Sequence, residues 1–155
     1  MKLTTKGRYA VTAMLDLALH HGHPVVSLAD IARRQGISLS YLEQLFATLR
    51  RGGLVESIRG PGGGYQLAES PECISVARIV VAINENIDAT RCGGNENCHG
   101  DGRCLTHQLW QDLSDRIYEF LSDVTLADLI RRPGVQEVAL RQAREPERAR
   151  AGESA

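Results

Sequence analysis

Aromatic residues are scarce in this 155-residue chain, which has one Trp, four Tyr and two Phe. A core built on large rings is thereby excluded, and aliphatic side chains at helical spacing account for most apolar positions. No apolar run is long enough to cross a bilayer. Lys2, Lys6 and Arg8 precede an apolar stretch, which has the outline of a signal peptide, but Asp16 interrupts it and no small-residue cleavage site follows. A cytoplasmic protein with no membrane partner is expected. Catalytic patterns are missing too. No nucleophile–base arrangement is evident, and "GPGGG" at 60–64 lacks the lysine and following helix of a P-loop. The chain does not read as an enzyme. Strong net charge is also absent, at −1, but the two halves differ. Residues 1–66 hold eight Lys/Arg against four Asp/Glu, and residues 67–155 hold ten against fifteen. A basic first half suits a polyanionic partner.

Four cysteines are present, and three of them crowd into "ATRCGGNENCHGDGRCLTH". Cys92, Cys98 and Cys104 are joined there by His107, three residues after the last cysteine, so one helical turn can present both. All four are soft or borderline donors in a stretch with little to bury. Clustering of this kind in a cytoplasmic chain points to metal rather than to disulfides. Zinc accepts three thiolates and an imidazole, and so does an iron–sulfur cluster. The two x5 gaps are wider than the short intervals usual for structural zinc, and wider loops suit a two-iron rhomb. His99 is an alternative imidazole, weakened by its position beside Cys98. Cys73 stands apart in apolar surroundings and is expected to be a small buried hydrophobe.

The first half reads as helices and turns. Thr4 or Thr5 caps a helix to about His20, with Tyr9, Ala13, Met14, Leu17 and Ala18 on its stripe, and Gly22 and Pro24 break it. Ser27 opens a short helix to Gln35, and Gly36 turns the chain. Ser38 and Ser40 offer caps for the next helix, with Ser40 and Glu43 fitting a capping box, and Gly52-Gly53 ends it. A short helix, a glycine turn and a second helix form a helix-turn-helix. Residues 54–59 and 65–67 then read as strands flanking "GPGGG", whose backbone can approach another molecule closely. The fold class expected is mainly α with a small β-wing: a winged helix-turn-helix over 1–67, followed by a cysteine loop and dimerisation helices over 68–132. Residues 133–155, poor in large apolar side chains, are expected to be a disordered tail.

The second helix of such a unit reads the major groove, which assigns Ser38, Ser40, Tyr41, Glu43 and Gln44 to double-stranded DNA. Glu43 has two competing readings, as a partner for a cytosine amino group or as a capping-box residue. Arg59 sits at the wing tip, suited to a minor groove. Lys6, Arg8, Arg50 and Arg51 are candidate phosphate contacts. Ser75 caps a helix over about 76–84. A long helix to about residue 123 carries Leu105, Leu109, Leu113, Ile117, Phe120 and Leu121 on one stripe, more than a small core covers. Leu109, Leu113, Ile117 and Phe120 are therefore the expected homodimer interface. Thr125 and Asp128 can cap a further turn.

The segments "LTTKGRYAVTAMLDLAL", "ADIARRQGISLSYLEQLF", "LRRGGLV", "RGPGGGY", "DATRC" and "CLTHQLWQDLSDR" closely resemble the iron–sulfur cluster regulators, a family of winged-helix bacterial transcription factors. The likeness covers residues 1 to about 130. It implies that Cys92, Cys98, Cys104 and His107 ligate a [2Fe–2S] cluster. It also implies a homodimer that binds promoter operators and controls cluster-assembly genes, with assembly scaffold proteins as further partners. The loop fillings "GGNEN" and "HGDGR" and the tail depart from the family pattern. Two other readings stand beside it: a zinc-stabilised winged-helix regulator, and an iron–sulfur carrier or electron-transfer protein. The carrier leaves "GISLSYLEQL" and "RGPGGGY" without a purpose.

Overall fold

The computed structural model describes residues 4–20, 25–85 and 87–153, with side chains described as far as residue 144. Helix α1 (Thr5–Leu19) buries Ala10, Ala13, Met14, Leu17 and Ala18. Tyr9, expected on the same stripe, lies at its exposed edge. Thr4 takes the cap position without a side-chain cap bond. The breakers Gly22 and Pro24 lie outside the described residues. Helix α2 (Leu28–Gln35) starts where Ser27 Oγ accepts the Asp30 N–H at 3.1 Å. It stops at Gly36, whose φ of 64° is the left-handed conformation glycine adopts without penalty.

Helix α3 (Leu39–Arg51) turns Leu42, Leu45, Phe46 and Leu49 inward. Its cap is Ser38, which accepts the Tyr41 N–H at 3.3 Å. The expected Ser40–Glu43 capping box does not form. Ser40 already lies inside the first turn, where its backbone is helical, and its hydroxyl pairs with Ser38 Oγ at 3.0 Å.

Strands β1 (Val55–Ile58) and β2 (Gly64–Leu67) form the wing, in antiparallel register from Val55 opposite Leu67 to Ile58 opposite Gly64. Val26 extends the ribbon by a bridge to Tyr65, with N–H···O distances of 3.0 and 2.8 Å. A Cβ at Gly64 would collide with the Val26 carbonyl, so the close approach of these two chains requires glycine there.

A 3₁₀ turn at Pro71–Cys73, absent from the expectation, leads to α4 (Val76–Ala82), capped by Ser75 through the Arg78 N–H at 3.2 Å. Cys73 is exposed rather than buried, because Pro71 and Ile74 take the inward positions of this turn. Helix α5 (His107–Asp123) follows the cysteine loop, and α6 (Leu126–Ile130) opens with a complete capping box between Thr125 and Asp128, at 3.0 and 3.1 Å. The starts of α4 and α6 are laced together: Val76 donates to Val124 at 2.8 Å and Leu126 to Ile74 at 2.9 Å. Ile74, Ile79, Ile83 and Leu126 thereby join Met14, Ile31 and Phe46 in one core, which does not break at residue 67.

The expected disordered tail is instead helix α7, Pro133–Glu153. Its first turns lie against α1 without being buried. Val135, Val138, Ala139 and Gln142 line a cleft against Val11, Leu15 and Leu19 of α1. Gln142 and Gln35 exchange amide hydrogen bonds of 2.8 and 3.1 Å. Gln35 and Arg34 also donate to Asp16, whose buried carboxylate receives Arg34 at 3.0 and 2.7 Å and Gln35 at 2.7 Å. Local charge suggested a solvated tail, but a few apolar positions and one amide pair decide its start.

Gly64→Ala should destabilise the chain by about 1–3 kcal/mol, the usual cost of overpacking, because backbone rather than a flexible side chain stands in the way. Urea unfolding of the variant beside wild type checks this, and an unchanged midpoint would show that the Val26–Tyr65 bridge can give way.

Candidate nucleic-acid interface and candidate metal centre

Helices α2 and α3 with the Gly36 turn place α3's first turn at the surface. Ser38, Ser40, Glu43 and Gln44 are exposed there, and Tyr41 is half-buried. Tyr41 packs edge-on against Tyr9 of α1, with centroids 5.8 Å apart and planes at 80°. A shallow cleft lies along this face, lined by Thr5, Tyr9, Ser38, Ser40, Tyr41 and Gln44. Glu43 has no side-chain partner among the described residues, so its carboxylate is free once the capping box is removed. Arg59 projects from the wing, exposed, between β1 and the glycine turn. Arg50 has a structural task, since its guanidinium donates to Ser57 on β1 at 3.3 Å and fastens the wing to α3. Arg51 similarly bonds Thr48 at 3.1 Å. Of the expected DNA-facing set, the structure gathers five on one helix end and holds Arg59 on the wing.

The second site lies where the cysteine loop meets α5. His107 is the first residue of that helix and is only 3% exposed. Its Nδ1 lies 3.5 Å from the sulfurs of both Cys92 and Cys98, and the ligand atoms of the three residues lie within 4.8 Å of one another. Cys104 stands outside this trio but adjoins it, its N–H donating to Cys98 Sγ at 2.9 Å. His99 turns into a tight bridge with Gly102 and is exposed. An ion pair between Arg103 and Glu96 spans the outside of the loop.

The electrostatics favour thiolates unevenly. Partial burial opposes ionisation of Cys92, but the amide N–H groups of Glu96, Gly94 and Asn97, with the Thr90 hydroxyl, lower its thiol to about 6. Cys104 is lowered by its neighbour Cys98 and by the Thr106 N–H. The Cys104 N–H would lower Cys98, yet burial and the sulfurs of Cys104 and Cys92 outweigh it and leave that thiol raised. Soft donors, two of which ionise below the ordinary thiol range, set against a buried imidazole, fit a thiophilic metal centre.

The sequence marked four candidate donors but not what holds them. Asp88, Thr90 and Ser114 bond the loop to itself and to α5, and "DATRC" signalled the first two only as part of a likeness. The expected interface residues lie along one side of α5. Leu109, Leu113 and Phe120 are 57%, 39% and 62% exposed, and Ile117 is half-buried. No helix among the described residues is long and apolar enough to cross a membrane.

Taken together, a reading helix, a glycine-tipped wing and a cysteine–histidine ligand set define a DNA-binding winged-helix regulator with a metal-competent loop. Residues 3–132 match the Rrf2 family, described as an iron-dependent transcriptional regulator. The chain belongs to that family. It is 62% identical over 144 residues to a putative HTH-type transcriptional regulator, ORF2, of Azotobacter vinelandii, covering 93% of this chain and 88% of that protein. It is 60% identical over 142 residues to the HTH-type transcriptional regulator IscR of Yersinia pseudotuberculosis, covering 92% and 87%. Among solved structures, IscR of T. potens is similar with a TM-score of 0.69 and 42% identity, over 84% of this chain and 86% of that one. CymR, the global cysteine regulator of B. subtilis, gives 0.73 and 38%, over 84% and 96%. These relatives are transcription regulators.

In the metal-free, reduced protein, alkylation of Cys92 should reach half its limiting rate near pH 6, rising with pH as the thiolate forms, whereas Cys98 should respond only above the ordinary thiol range. Mass spectrometry of peptides after timed iodoacetamide treatment measures both. Equal profiles for the two cysteines would contradict the uneven hydrogen bonding.

Proposed function

We propose that this chain is a cytoplasmic, homodimeric transcription regulator that holds a [2Fe–2S] cluster on Cys92, Cys98, Cys104 and His107 and controls the genes of iron–sulfur cluster assembly. The observation that carries this reading is the buried His107 facing Cys92 and Cys98 at the foot of a helix whose apolar side has no cover. Cys104, beside Cys98 but outside the trio, supplies a fourth donor that need not converge on the same point. That separation suits two irons better than one ion. Such a cluster, when bound, supplies a redox-active and removable cross-link. Assembly scaffold proteins are the proposed cluster donors, and the 60% identity to IscR supports the gene targets.

The chain's own residues perform the rest. Ser38, Ser40, Tyr41, Glu43 and Gln44 meet the major groove, hydroxyls and amide serving phosphates and base edges. Glu43, freed of any capping duty, is repelled by phosphates and gains most by accepting from a cytosine amino group. Arg59 enters the minor groove where it narrows. Leu109, Leu113, Ile117 and Phe120 pack against the same stripe of a second copy, an isologous contact that pairs two reading heads. Because the ligand loop and the dimer stripe share α5, the state of the loop biases how those heads are spaced.

One observation favours a second reading. Two ligands on a single tetrahedral zinc stand about 3.5 Å apart, given Zn–S near 2.3 Å and Zn–N near 2.0 Å. That is the separation of His107 from Cys92 and Cys98. Anaerobic purification separates the two. The cluster reading expects visible absorption bands with iron and acid-labile sulfide in equal amounts, and promoter affinities that change in a triple Cys→Ala variant. A colourless protein with stoichiometric zinc would overturn it. On the reading face, Arg59→Ala should weaken operator binding and reduce the salt slope by about one contact. Unchanged affinity and slope would remove the wing from the interface.

A further inference from the structure

Helix α5 has an unusual interior. Over its seventeen residues the fully buried side chains are His107 and Ser114, both polar. They are seven residues apart, close to two turns, and so share one face. His107 meets the sulfurs of Cys92 and Cys98. Ser114 meets the same loop from further along, its Oγ accepting the Ala89 N–H at 2.7 Å and donating to the Trp110 carbonyl at 2.8 Å. That leaves the hydroxyl proton fully committed and its direction fixed. From Ala89 the order passes along the loop. Asp88 Oδ1 accepts both the N–H and the hydroxyl of Thr90, at 2.7 and 2.6 Å, closing an Asx turn. Thr90 Oγ1 then accepts the Gly94 N–H at 2.9 Å, so residues 90–94 close around Cys92 through a side chain.

We propose that Asp88, Thr90 and Ser114 are positioning residues for the metal centre, fixing the Cys92 arm of the loop on α5 so that its thiol faces His107. This rests on Cys92 and His107 being ligands, and it adds to that reading the groups that aim them. Every bond in the series is made by protein groups alone, so the Cys92 arm is set before any metal arrives. The two halves of the ligand set thus have different dependence on metal. Cys92 and His107 are held by α5 and the Asx turn, whereas Cys98 is held by the loop's own bonds, from the Cys104 N–H and across the His99–Gly102 bridge, with none among the described residues to α5 other than through His107. Preorganised ligands lose less freedom on binding, and partners that orient a ligand typically change metal affinity by about 10–100-fold when removed.

The test uses the full chain, reduced and metal-free under anaerobic conditions, as wild type, Thr90→Val, Thr90→Ser and Ser114→Ala. Thr90→Val keeps the side-chain shape and removes the hydroxyl. Cobalt(II) is titrated and followed by its thiolate charge-transfer absorption, with amide hydrogen exchange measured on the same samples. Thr90→Val and Ser114→Ala should weaken cobalt binding by about 10–100-fold, and Thr90→Ser should restore it to within a few-fold of wild type. Exchange at Gly94 should quicken in Thr90→Val and at Ala89 in Ser114→Ala, while core amides of α1 and α4 stay as protected as before. Wild-type cobalt affinity in both Thr90→Val and Ser114→Ala would overturn the positioning role, as would a Thr90→Ser as weak as Thr90→Val. A wild type that takes up no cobalt would instead overturn the ligand assignment itself.

Discussion

No apolar side chain of α5 is fully buried, and its two buried residues, His107 and Ser114, both face the cysteine loop. The arrangement of the second half of the chain follows from that constraint. A helix of this length is normally held by a stripe of aliphatic groups against a core. Here the aliphatic groups are present, at Leu109, Leu113 and Phe120, but they point to solvent. Polar bonds to the loop and packing against α4 hold the helix in place, and the exposed stripe is left for the second copy proposed above. The loop contacts and the stripe proposed to dimerise therefore lie on one helix.

The first half is built the opposite way. Met14, Ile31, Phe46 and Leu49 bury completely, and the polar network beneath the helix-turn-helix is satisfied. Asp16, 1% exposed, would be costly alone. It is matched by the bidentate Arg34 and by Gln35, and Gln35 passes the connection to Gln142 of α7. Ile74, Ile79 and Leu126 extend the same core to the segments that flank the loop on either side. The helix-turn-helix core is thus joined to α5 through α4 and α6, while the loop between α4 and α5 carries the candidate ligands. A close-packed core on one side and polar bonding around the loop on the other suit a device that reports on one site at the other.

What the sequence disclosed follows the range over which each signal acts. Short-range chemistry was legible. Ser27 and Ser75 cap where expected, the Thr125–Asp128 box forms, and the strands pair across the glycine turn. Ser40–Glu43 failed because the spacing suited a box starting two residues too late, and Ser38 had already taken the cap. Cys73 and the start of the tail were misjudged for different reasons. Cys73 is turned outward by a local 3₁₀ turn that puts Pro71 and Ile74 inward, and the start of the tail depends on Gln35 and α1, brought from far along the chain, beside Val135 and Ala139. The four candidate metal donors were visible by type and spacing, and the structure brings three of them, Cys92, Cys98 and His107, together. Asp88, Thr90 and Ser114 were not, because an aspartate, a threonine and a serine carry no spacing rule that separates an anchor from a solvated surface group.

The shared helix also constrains how the two functions can influence each other. If a filled ligand loop favours one presentation of the reading heads, an operator that fits that presentation must favour the filled loop by the same factor, since coupling between two binding equilibria is reciprocal. A coupling of 1–3 kcal/mol, about 5–150-fold, is typical of such linkage. Promoters that suit the loaded form would then protect its metal, and promoters indifferent to it would not. If Glu43 meets the major groove as proposed, its carboxylate is repelled by phosphates unless a cytosine amino group meets it, so sequences that lack that partner carry a penalty whatever the loop holds. On that proposal, discrimination by base at Glu43 and discrimination by metal through α5 are separate terms: the first sets a promoter's affinity in both states, and only the second sets its response to metal.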